Sequence, residues 1–287
     1  MKKKIKILFK LFSRKYQKII LDYKVAPKPR DFDRLNNKYS INAVIKKNTE
    51  SYRSTLEQIL SFKDVFLNFK YSSDKDVRKN EPTWNNGYLP GLDIVSIYSL
   101  TRTIKPKKII EIGSGNSTRV FRKAISDGEL STELISIDPC PRVDILELSD
   151  AIHRSKLEDL EDVSFIIDRL DENDFLFVDN SHIVFPNSDA MVVFMEILPL
   201  LKKGVYVHFH DIYLPYDYPQ FMCDRFYNEQ YFLNAFLINN PDRYEVILPN
   251  FYISQNQELS NLMKPLWSEK YLQNVEQHGG SFWIKVH

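Results

Sequence analysis

Residues 108–118, Lys-Ile-Ile-Glu-Ile-Gly-Ser-Gly-Asn-Ser-Thr, constrain the fold more than any other stretch of the chain. An apolar, β-branched run that leads into glycines and then into small polar residues is typical of a buried strand, a tight turn and a helix N-terminus. Glycine lets a ligand approach the backbone closely, and this chain of 287 residues has only eight glycines. The run therefore predicts a ligand-binding turn, with an ordinary strand-to-helix connection as the alternative.

The spacing after this turn indicates which ligand it binds. Thr118 stands where the dinucleotide motif G-x-G-x-x-G has its third glycine, so a dinucleotide is not the best match. Asp138 follows Gly113 by 25 positions, near the interval at which an acid on the second strand meets a ribose diol. The turn and Asp138 together predict a nucleoside ligand, and a plain surface acid is the alternative for Asp138.

Strand-like and helix-like segments alternate from residue 107 onward, which predicts an α/β fold built on a parallel sheet. Strands are expected at residues 108–112, 133–137, 151–154, 174–178, 205–209, 244–248 and 281–286. Helices are expected at residues 92–103, 117–126, 143–148, 188–201 and 224–238. The third strand has an alternative position at residues 163–167.

The first 30 residues differ in charge from the rest of the chain. They carry eleven Lys and Arg against one acid, Asp22, and hence a charge of about +10, whereas the whole chain has a net charge of +1. The remainder is therefore about −9. It shows no sign of the basic face that nucleic-acid binding requires, so we expect no nucleic-acid partner.

Apolar residues recur at helical spacing across residues 2–24, with lysines on the other face. This pattern predicts a basic amphipathic helix that packs on the domain or on a second subunit, or that lies on an anionic membrane surface. A disordered tail is the third alternative. No apolar run approaches the roughly 18 residues that span a bilayer. Two isolated cysteines, Cys140 and Cys223, favour a reducing compartment, with one disulfide as the alternative. We therefore expect a cytoplasmic protein, with peripheral contact to the inner membrane surface in the alternative in which the basic helix lies on lipid.

The chain divides into three expected units, which are a basic helix and linker at 1–30, a helical N-terminal extension at 31–85, and a main domain at 86–287. Residues 249–272 are expected to be an insertion that forms part of a lid. The loop at 85–93 combines two glycines with a proline and an aromatic residue. It precedes the first strand, and it either closes over a ligand on the Gly113 turn or is a plain connection.

Ligands bind beyond the carboxyl ends of the strands in an open parallel sheet, and two of these ends carry ionisable groups. They are Asp179 and His182 after the fourth strand, and His208, His210 and Asp211 at the fifth. Imidazoles and carboxylates there provide either general-base catalysis or a divalent metal site. Because side chains alternate along a strand, His208 is expected within the packing of the sheet. His182 is either catalytic or anchors its loop.

Together, these motifs resemble class I S-adenosylmethionine-dependent methyltransferases, and most closely a bacterial subgroup of the methyltransferase-24 type. Residues 111–115 match the acid and the glycines of the first motif of that family. The other matching segments are residues 136–139, 174–182, 204–212, 218–219, 228–231 and 280–283. The resemblance runs from roughly residue 86 to the C-terminus.

The resemblance implies a Rossmann-like, seven-stranded, mostly parallel sheet with helices on both faces and an antiparallel last strand. It implies S-adenosyl-L-methionine as cofactor, with the ribose at Asp138 and the adenine near residues 157–159. The cofactor contacts expected are Glu111, Gly113, Ser114, Gly115, Asn116, Asp138, Glu158 and Asp179. Related metal-dependent sugar O-methyltransferases have acids at the positions of Asp179 and Asp211, which implies a divalent ion such as Mg²⁺. This chain has His210 and Asp211 where those enzymes have paired acids.

The leading hypothesis is methyl transfer from S-adenosylmethionine to a hydroxyl of a sugar or another small molecule. His210 or His182 would be the base, and Asp211 or Asp179 would orient it or bind the metal. The expected partners are a small-molecule or glycan substrate and a second copy of the chain. One alternative is a non-catalytic protein that binds the same cofactor. The other is a nucleotide-dependent oxidoreductase, which the missing third glycine disfavours.

Overall fold

The computed structural model describes residues 19, 21–30, 40–141 and 146–287. The described part of the N-terminal extension contains α1 (Ile41–Lys46), α2 (Thr49–Leu60), α3 (Lys63–Phe66), β1 (Lys70–Tyr71) and β2 (Thr83–Trp84). The main domain begins with α4 (Gly91–Ile104), β3 (Lys108–Ile112), α5 (Asn116–Asp127), β4 (Glu133–Ile137), β5 (Ala151–His153), α6 (Ser164–Arg169), β6 (Phe175–Val178), α7 (Asp189–Val192) and β7 (Tyr206–Phe209). It ends with α8 (Gln220–Cys223), α9 (Glu229–Asn239), β8 (Tyr244–Pro249), α10 (Asn250–Gln255), α11 (Gln257–Leu262), α12 (Lys264–Trp267) and β9 (Phe282–Val286).

Seven strands form one sheet in the order β5-β4-β3-β6-β7-β9-β8. Strand β9 pairs antiparallel with β7 and β8, and the other neighbours are parallel. Strands β3, β4 and β6 are almost completely buried, because helices cover both faces of the sheet. The predicted Rossmann-like sheet is therefore confirmed, including its antiparallel last strand.

The order of the strands also fixes where a ligand can bind. The chain runs outward from β3 through β4 to β5, and then returns to place β6 on the other side of β3. Such a reversal opens a crevice at the carboxyl ends of the two central strands. The Gly113 turn follows β3 and Asp179 follows β6, so both lie at this crevice.

The third strand occupies the preferred position, residues 151–153, and a turn of 3-10 helix follows at Leu157–Asp159. The alternative strand at 163–167 is wrong, because residues 164–167 lie within helix α6 and Val163 caps it. Its partly buried apolar residues pack against the core from a helix.

Two predicted helices are shorter than the apolar pattern suggests. Helix α7 ends at Val192. The chain continues as one turn of π-helix and then one turn of 3-10 helix that contains Pro199, since the nitrogen of proline cannot donate a hydrogen bond to a regular α-helix. The helix predicted at 224–238 starts only at Glu229, because Phe226 has a φ of 60° that helical backbone does not allow. The helix predicted at 143–148 lies partly outside the described residues, and residues 146–148 form a turn.

The N-terminal extension packs into the same hydrophobic core as the sheet. Tyr52, Phe66 and Trp84 are fully buried in it. The Phe66 ring lies 5.5 Å from the ring of Tyr98 on α4 and 5.9 Å from that of Phe69. Trp84 belongs to β2, which pairs with β1. The boundary at residue 85 stays a prediction.

The segment predicted to form part of a lid consists of helices α10, α11 and α12. It is tied to the N-terminal extension by two ion pairs, Arg53–Glu258 at 3.0 Å and Lys63–Glu269 at 2.5 Å. At its other end, the ring of Phe251 lies 4.4 Å from the ring of Tyr213 in the loop after β7. The segment therefore touches the carboxyl-end loops of the sheet, and its role as a lid stays a prediction.

The basic helix predicted at residues 2–24 lies mostly outside the described residues. Its last part, residues 21–24, is a bend and irregular backbone, so the helix does not extend that far. Cys140 and Cys223 are both free thiols. Among the residues that the structure describes, no helix has the length and apolar content to cross a membrane.

The shared core can be tested by replacing Phe66 with alanine. We expect Phe66→Ala to lower the free energy of unfolding by about 3–5 kcal/mol, since it leaves a cavity among fully buried aromatic rings. Leu200→Ala is the control, because Leu200 is 61% exposed. Urea denaturation followed by tryptophan fluorescence measures both. A second unfolding transition that alone responds to Phe66→Ala would show that the extension is a separate unit.

Candidate active site

The turn after β3 is shaped by Gly113. Its φ is 80°, which favours glycine. A Cβ at this position would also overlap the backbone carbonyl oxygen of Asp179. The turn and the end of β6 are therefore in backbone contact, and only glycine permits it. Gly115 differs, because a Cβ there would meet no atom within 4 Å.

Asp138 holds the other side of the turn. Its carboxylate accepts hydrogen bonds from the backbone N–H of Ser114 at 2.7 Å and from the Ser114 hydroxyl at 3.2 Å. The second carboxylate oxygen accepts from the N–H of Cys140 at 2.7 Å. Each carboxylate oxygen has two lone pairs, so Asp138 can still accept from a ligand hydroxyl.

A cavity of about 290 Å³ lies beside this turn. Gly113, Asp138 and Asp179 line it together with Ile112, Ile137, Pro139, Lys156, Leu157, Glu158, Asn180 and Asp189. The structure thus brings Glu158 together with the turn and Asp138. The apolar side chains of this wall suit a flat ring such as adenine, and Asp138 suits a diol.

Glu111 is placed beneath the turn, fully buried. Its carboxyl group accepts hydrogen bonds from the hydroxyls of Ser117, Thr118 and Ser136, the second at 2.6 Å and the third at 3.4 Å. Burial raises the pKa of Glu111 to about 8, because the hydroxyl donors only partly offset the loss of hydration. In this position Glu111 ties β3 to α5 and β4, and it does not line either of the two cavities at the crevice.

Asn116 connects the turn to the loop at 85–93. Its amide nitrogen lies 3.3 Å from the side-chain oxygen of Asn86, and its side-chain oxygen accepts from Arg119 at 2.9 Å. Asn86 in turn accepts from the N–H groups of Tyr88 and Leu89. The loop therefore lies against the glycine turn, and its closure over a ligand stays a prediction.

A second cavity, of about 410 Å³, lies next to the first. Asp179 lines both cavities. The walls of the second cavity are formed by Gly87, Tyr88, Pro90, His182, His210, Asp211, Tyr213, Phe221, Met222, Arg225, Tyr227, Glu276, His278 and Gly280. The four residues predicted to be catalytic, Asp179, His182, His210 and Asp211, thus meet at the edge between the two cavities.

His182 is oriented by Glu229, the first residue of α9. The Glu229 carboxylate lies 3.0 Å from Nδ1 of His182 and is almost completely buried. Nε2 of His182 lies 3.5 Å from Asp179 and 3.6 Å from Asp211. Both His182 and Asp211 have positive φ angles, of 60° and 54°, which non-glycine residues adopt mainly where the surroundings impose them.

His210 is held in a similar way by Asp93 of α4. Nε2 of His210 lies 3.5 Å from the Asp93 carboxylate, and Nδ1 lies 3.5 Å from Asp179 and 3.7 Å from Asp211. Asp93 is fully buried and accepts hydrogen bonds from Asn250 and from the N–H groups of Gly280 and Ser281. Two imidazoles, each backed by a buried carboxylate, therefore converge on Asp179 and Asp211.

The carboxylates and imidazoles of this cluster stabilise one another's charged forms. Burial alone would lower the pKa of His182, but hydrogen bonds to Asp179 and Glu229 raise it to about 10. Burial opposes the charge of His210 as well, yet Asp179 and Asp211 raise its pKa well above the usual value. Burial would raise the pKa of Asp179, but the two imidazoles hold it well below its usual range. At neutral pH both imidazoles are therefore protonated.

His208 has a structural role. Its ring stacks on Phe177 at 3.8 Å, and Nε2 lies 2.7 Å from the hydroxyl of Ser281. The residue is fully buried, and burial keeps its pKa well below the usual value. This position agrees with the expectation that His208 lies within the packing of the sheet.

The residues present do not fit the implied metal ion in this arrangement. Asp179 and Asp211 each face two imidazoles, which supply the compensating positive charge. Within the described ranges, no group of three or more His, Cys, Asp or Glu side chains is arranged to hold a metal ion.

Sequence reasoning missed two residues of this cluster, Asp93 and Glu229. Asp93 is 117 positions before His210, and Glu229 is 47 positions after His182. Both lie on helices that the strand-end argument does not cover. The available signal was Glu229 itself, because it stands within the segment 228–231 that resembles the methyltransferase family.

Comparison with known proteins gives the class of the domain. Residues 110–212 match the model of a family described as a methyltransferase domain. No curated protein matches the chain.

Several solved methyltransferase structures resemble the chain. The SAH-bound methyltransferase PaMTH1 of Podospora anserina has a TM-score of 0.41 and 16% identity, over 68% of this chain and 77% of that one. The plantazolicin methyltransferase BpumL in complex with SAH has a TM-score of 0.39 and 13% identity, over 86% and 99% of the two chains. CmcI with SAH has a TM-score of 0.38 and 15% identity, over 74% and 86%.

The family match, the seven-stranded sheet and the glycine turn define a class I methyltransferase fold. Residues 110–212 therefore match a methyltransferase domain, and S-adenosylmethionine is the methyl donor that we propose for it below.

Substitutions of the two glycines test whether this turn binds the cofactor. We expect Gly115→Ala to keep the melting temperature of the parent chain but to weaken S-adenosylhomocysteine binding at least about tenfold, because the methyl group enters open space at the turn. Gly113→Ala is the contrasting variant, and we expect it to lose stability through overlap with Asp179 and strain at positive φ. Calorimetry and thermal unfolding measure both effects. Unchanged affinity in Gly115→Ala would place the cofactor elsewhere.

Proposed function

We propose that this protein is an S-adenosylmethionine-dependent methyltransferase that methylates a hydroxyl group of a sugar or another small molecule, with His182 as the general base. One observation carries the proposal. The ring of His182 is backed by the buried carboxylate of Glu229 on one side, while its other nitrogen faces the edge between the two cavities. Such a base is needed for a hydroxyl acceptor, which must lose its proton during transfer.

The first cavity suits the cofactor. We assign the ribose to Asp138, the adenine to the wall around Leu157 and Glu158, and the methionine part to the backbone of Gly113, Ser114, Gly115 and Asn116. The open space at Gly115 is the cradle that this assignment needs. Glu111 contributes by holding Ser117 and Thr118. The bound cofactor supplies a methyl group on a positively charged sulfur.

Asp179 would lie next to both the cofactor and the acceptor. It lines both cavities and is held ionised by the two imidazoles. A carboxylate at this edge favours a positive charge beside it. The acceptor hydroxyl would be held in the second cavity and give its proton to Nε2 of His182. Glu229 would stabilise the imidazolium that forms. Asp211 and Asp93 keep His210 protonated as a fixed positive charge.

The proton affinity of His182 must fall before it can act as a base. In the free protein its pKa is raised to about 10, so the ring is charged at neutral pH. A cationic cofactor beside Asp179 would take over part of the interaction that holds this proton. The cofactor would therefore lower the pKa of His182 and activate the base when it binds.

The second cavity supports a sugar or an aromatic acceptor. Tyr88, Tyr213 and Tyr227 provide ring faces, and Arg225, Glu276 and His278 provide polar groups. The loop after β7 places Tyr213 against Phe251 and so fixes one wall. Aromatic faces with polar neighbours bind hydroxylated rings well.

Removing the base tests the assignment. We expect His182→Ala to reduce turnover by roughly 10²–10⁴-fold with little change in S-adenosylhomocysteine affinity. His210→Ala should also reduce turnover, because it leaves Asp93 and Asp179 uncompensated. His287→Ala is the matched control, since that histidine pairs with Glu245 at the far end of the chain. Full turnover in both His182→Ala and His210→Ala would refute the role of this cluster.

The pH dependence of the reaction follows from the same cluster. Only neutral His182 accepts a proton, so kcat/KM, which reports the free enzyme, should rise about tenfold per pH unit from pH 7 towards about 10. The rise in kcat should be complete at a lower pH, because the bound cofactor lowers the pKa of His182. In Glu229→Gln, which removes a cause of the raised pKa, the kcat/KM profile should shift to lower pH. A profile for kcat/KM that is flat from pH 7 to 10 would contradict His182 as base.

A further inference from the structure

Two buried polar atoms beside His182 have no hydrogen-bond partner among the residues that the structure describes. One is Nδ2 of Asn180, a donor, and the other is Oε1 of Glu229, an acceptor. Both residues already contact His182, Asn180 at its backbone and Glu229 at its ring. A buried donor and a buried acceptor are each unfavourable without a partner, so a hydrogen bond between these two atoms would relieve both.

The orientation of the Asn180 side chain is set by the turn that it forms. Its Oδ1 accepts a hydrogen bond from the backbone N–H of His182 at 2.8 Å. Because this oxygen only accepts, the Nδ2 donor must occupy the other side of the amide group. Burial raises the pKa of Glu229, and the neighbouring His182 and Asn180 oppose that rise. The amide therefore lies near Glu229, although the two atoms do not yet have the geometry of a hydrogen bond.

Asn180 also belongs to the wall of the first cavity, which it lines together with Asp179 and Asp189. Its Nδ2 atom is nevertheless shielded from solvent, so other atoms of the side chain face the cavity. A cofactor in this cavity would pack against Asn180 and restrict the movement of its amide away from Glu229. One side chain therefore contacts the cofactor cavity and the loop of His182, and lies near the carboxylate that orients the base.

We propose that Asn180 is a positioning residue through which the bound cofactor fixes the base. With the cofactor in place, Nδ2 of Asn180 donates to Oε1 of Glu229, while Oε2 keeps its contact with His182. A carboxylate that is held at both oxygens rotates less, so the imidazole keeps the orientation that faces the acceptor. The base is then best ordered when a methyl donor is present. This inference rests on the proposed function, because it takes His182 as the base.

Exchange of the His182 ring proton with water tests this coupling without any acceptor. NMR of the full chain with ¹⁵N-labelled histidine detects the Nδ1–H of His182, and its signal is identified by its loss in His182→Gln. We expect saturating S-adenosylhomocysteine to slow this exchange at least about tenfold, because the ring must leave Glu229 before its proton can exchange. Asn180→Ser should lose the slowing. Its hydroxyl can still accept from the N–H of His182 but is too short to reach Glu229.

Asn180→Asp is the second variant, since it keeps the oxygen that accepts from His182 and removes the donor. Loss of the slowing in both variants supports the role of the amide. Retention in either variant would show that the donor is not needed and would overturn the inference. Asn239→Ser, at an exposed position of α9, is the control and should respond like the parent chain. Calorimetry verifies saturation, and melting temperatures verify folding.

The parent chain itself separates the inference from the proposed function. Binding of S-adenosylhomocysteine without slower exchange at His182 would overturn the role of Asn180 and leave the proposed reaction standing. An absence of S-adenosylhomocysteine binding would instead overturn the assignment of the first cavity to the cofactor, and the coupling would fall with it.

Discussion

The Asp179 carboxylate and the two imidazoles that neutralise it are the interaction on which the site depends. Desolvating a carboxylate is unfavourable unless opposite charges and hydrogen bonds replace the water. His182 and His210 provide them, and each is held by a further buried acid. The backbone of the same residue packs against Gly113. One position therefore couples the glycine turn, both cavities and four other ionisable side chains.

The sheet was predictable because its signal is local. Buried parallel strands leave continuous apolar runs in the sequence, and β3 and β4 begin and end where those runs do. Helix ends were less predictable, because a single residue decides them. Phe226 at positive φ and Pro199 interrupt helices that the apolar pattern alone extends. The core position of Trp84 was missed for a related reason, since it stands alone in a polar stretch.

The sequence predicted only those residues of the site that follow the strands. Topology places Asp138, Asp179 and Asp211 at one edge of the sheet, so their proximity follows from the strand order. Asp93 and Glu229 come from helices whose packing angle no sequence pattern records. They matter because they set the charge of the imidazoles. A histidine on its own suggests a base near neutral pH, whereas carboxylates on both sides of the ring make it a strong one.

Thr118 gives the glycine turn a consequence for cofactor choice. Its hydroxyl accepts a hydrogen bond from the N–H of Gly115 at 2.9 Å and donates one to Glu111 at 2.6 Å. The third glycine of a dinucleotide motif exists to let helix and strand approach closely. Here the side chain at this position joins the turn to the strand through two hydrogen bonds. Replacing Thr118 with glycine to favour a nicotinamide dinucleotide would remove both hydrogen bonds. The buried carboxyl group of Glu111 would then have one donor fewer. The specificity for one class of nucleotide therefore depends on the hydrogen bonds that hold the glycine turn. A single substitution would not be enough to change it.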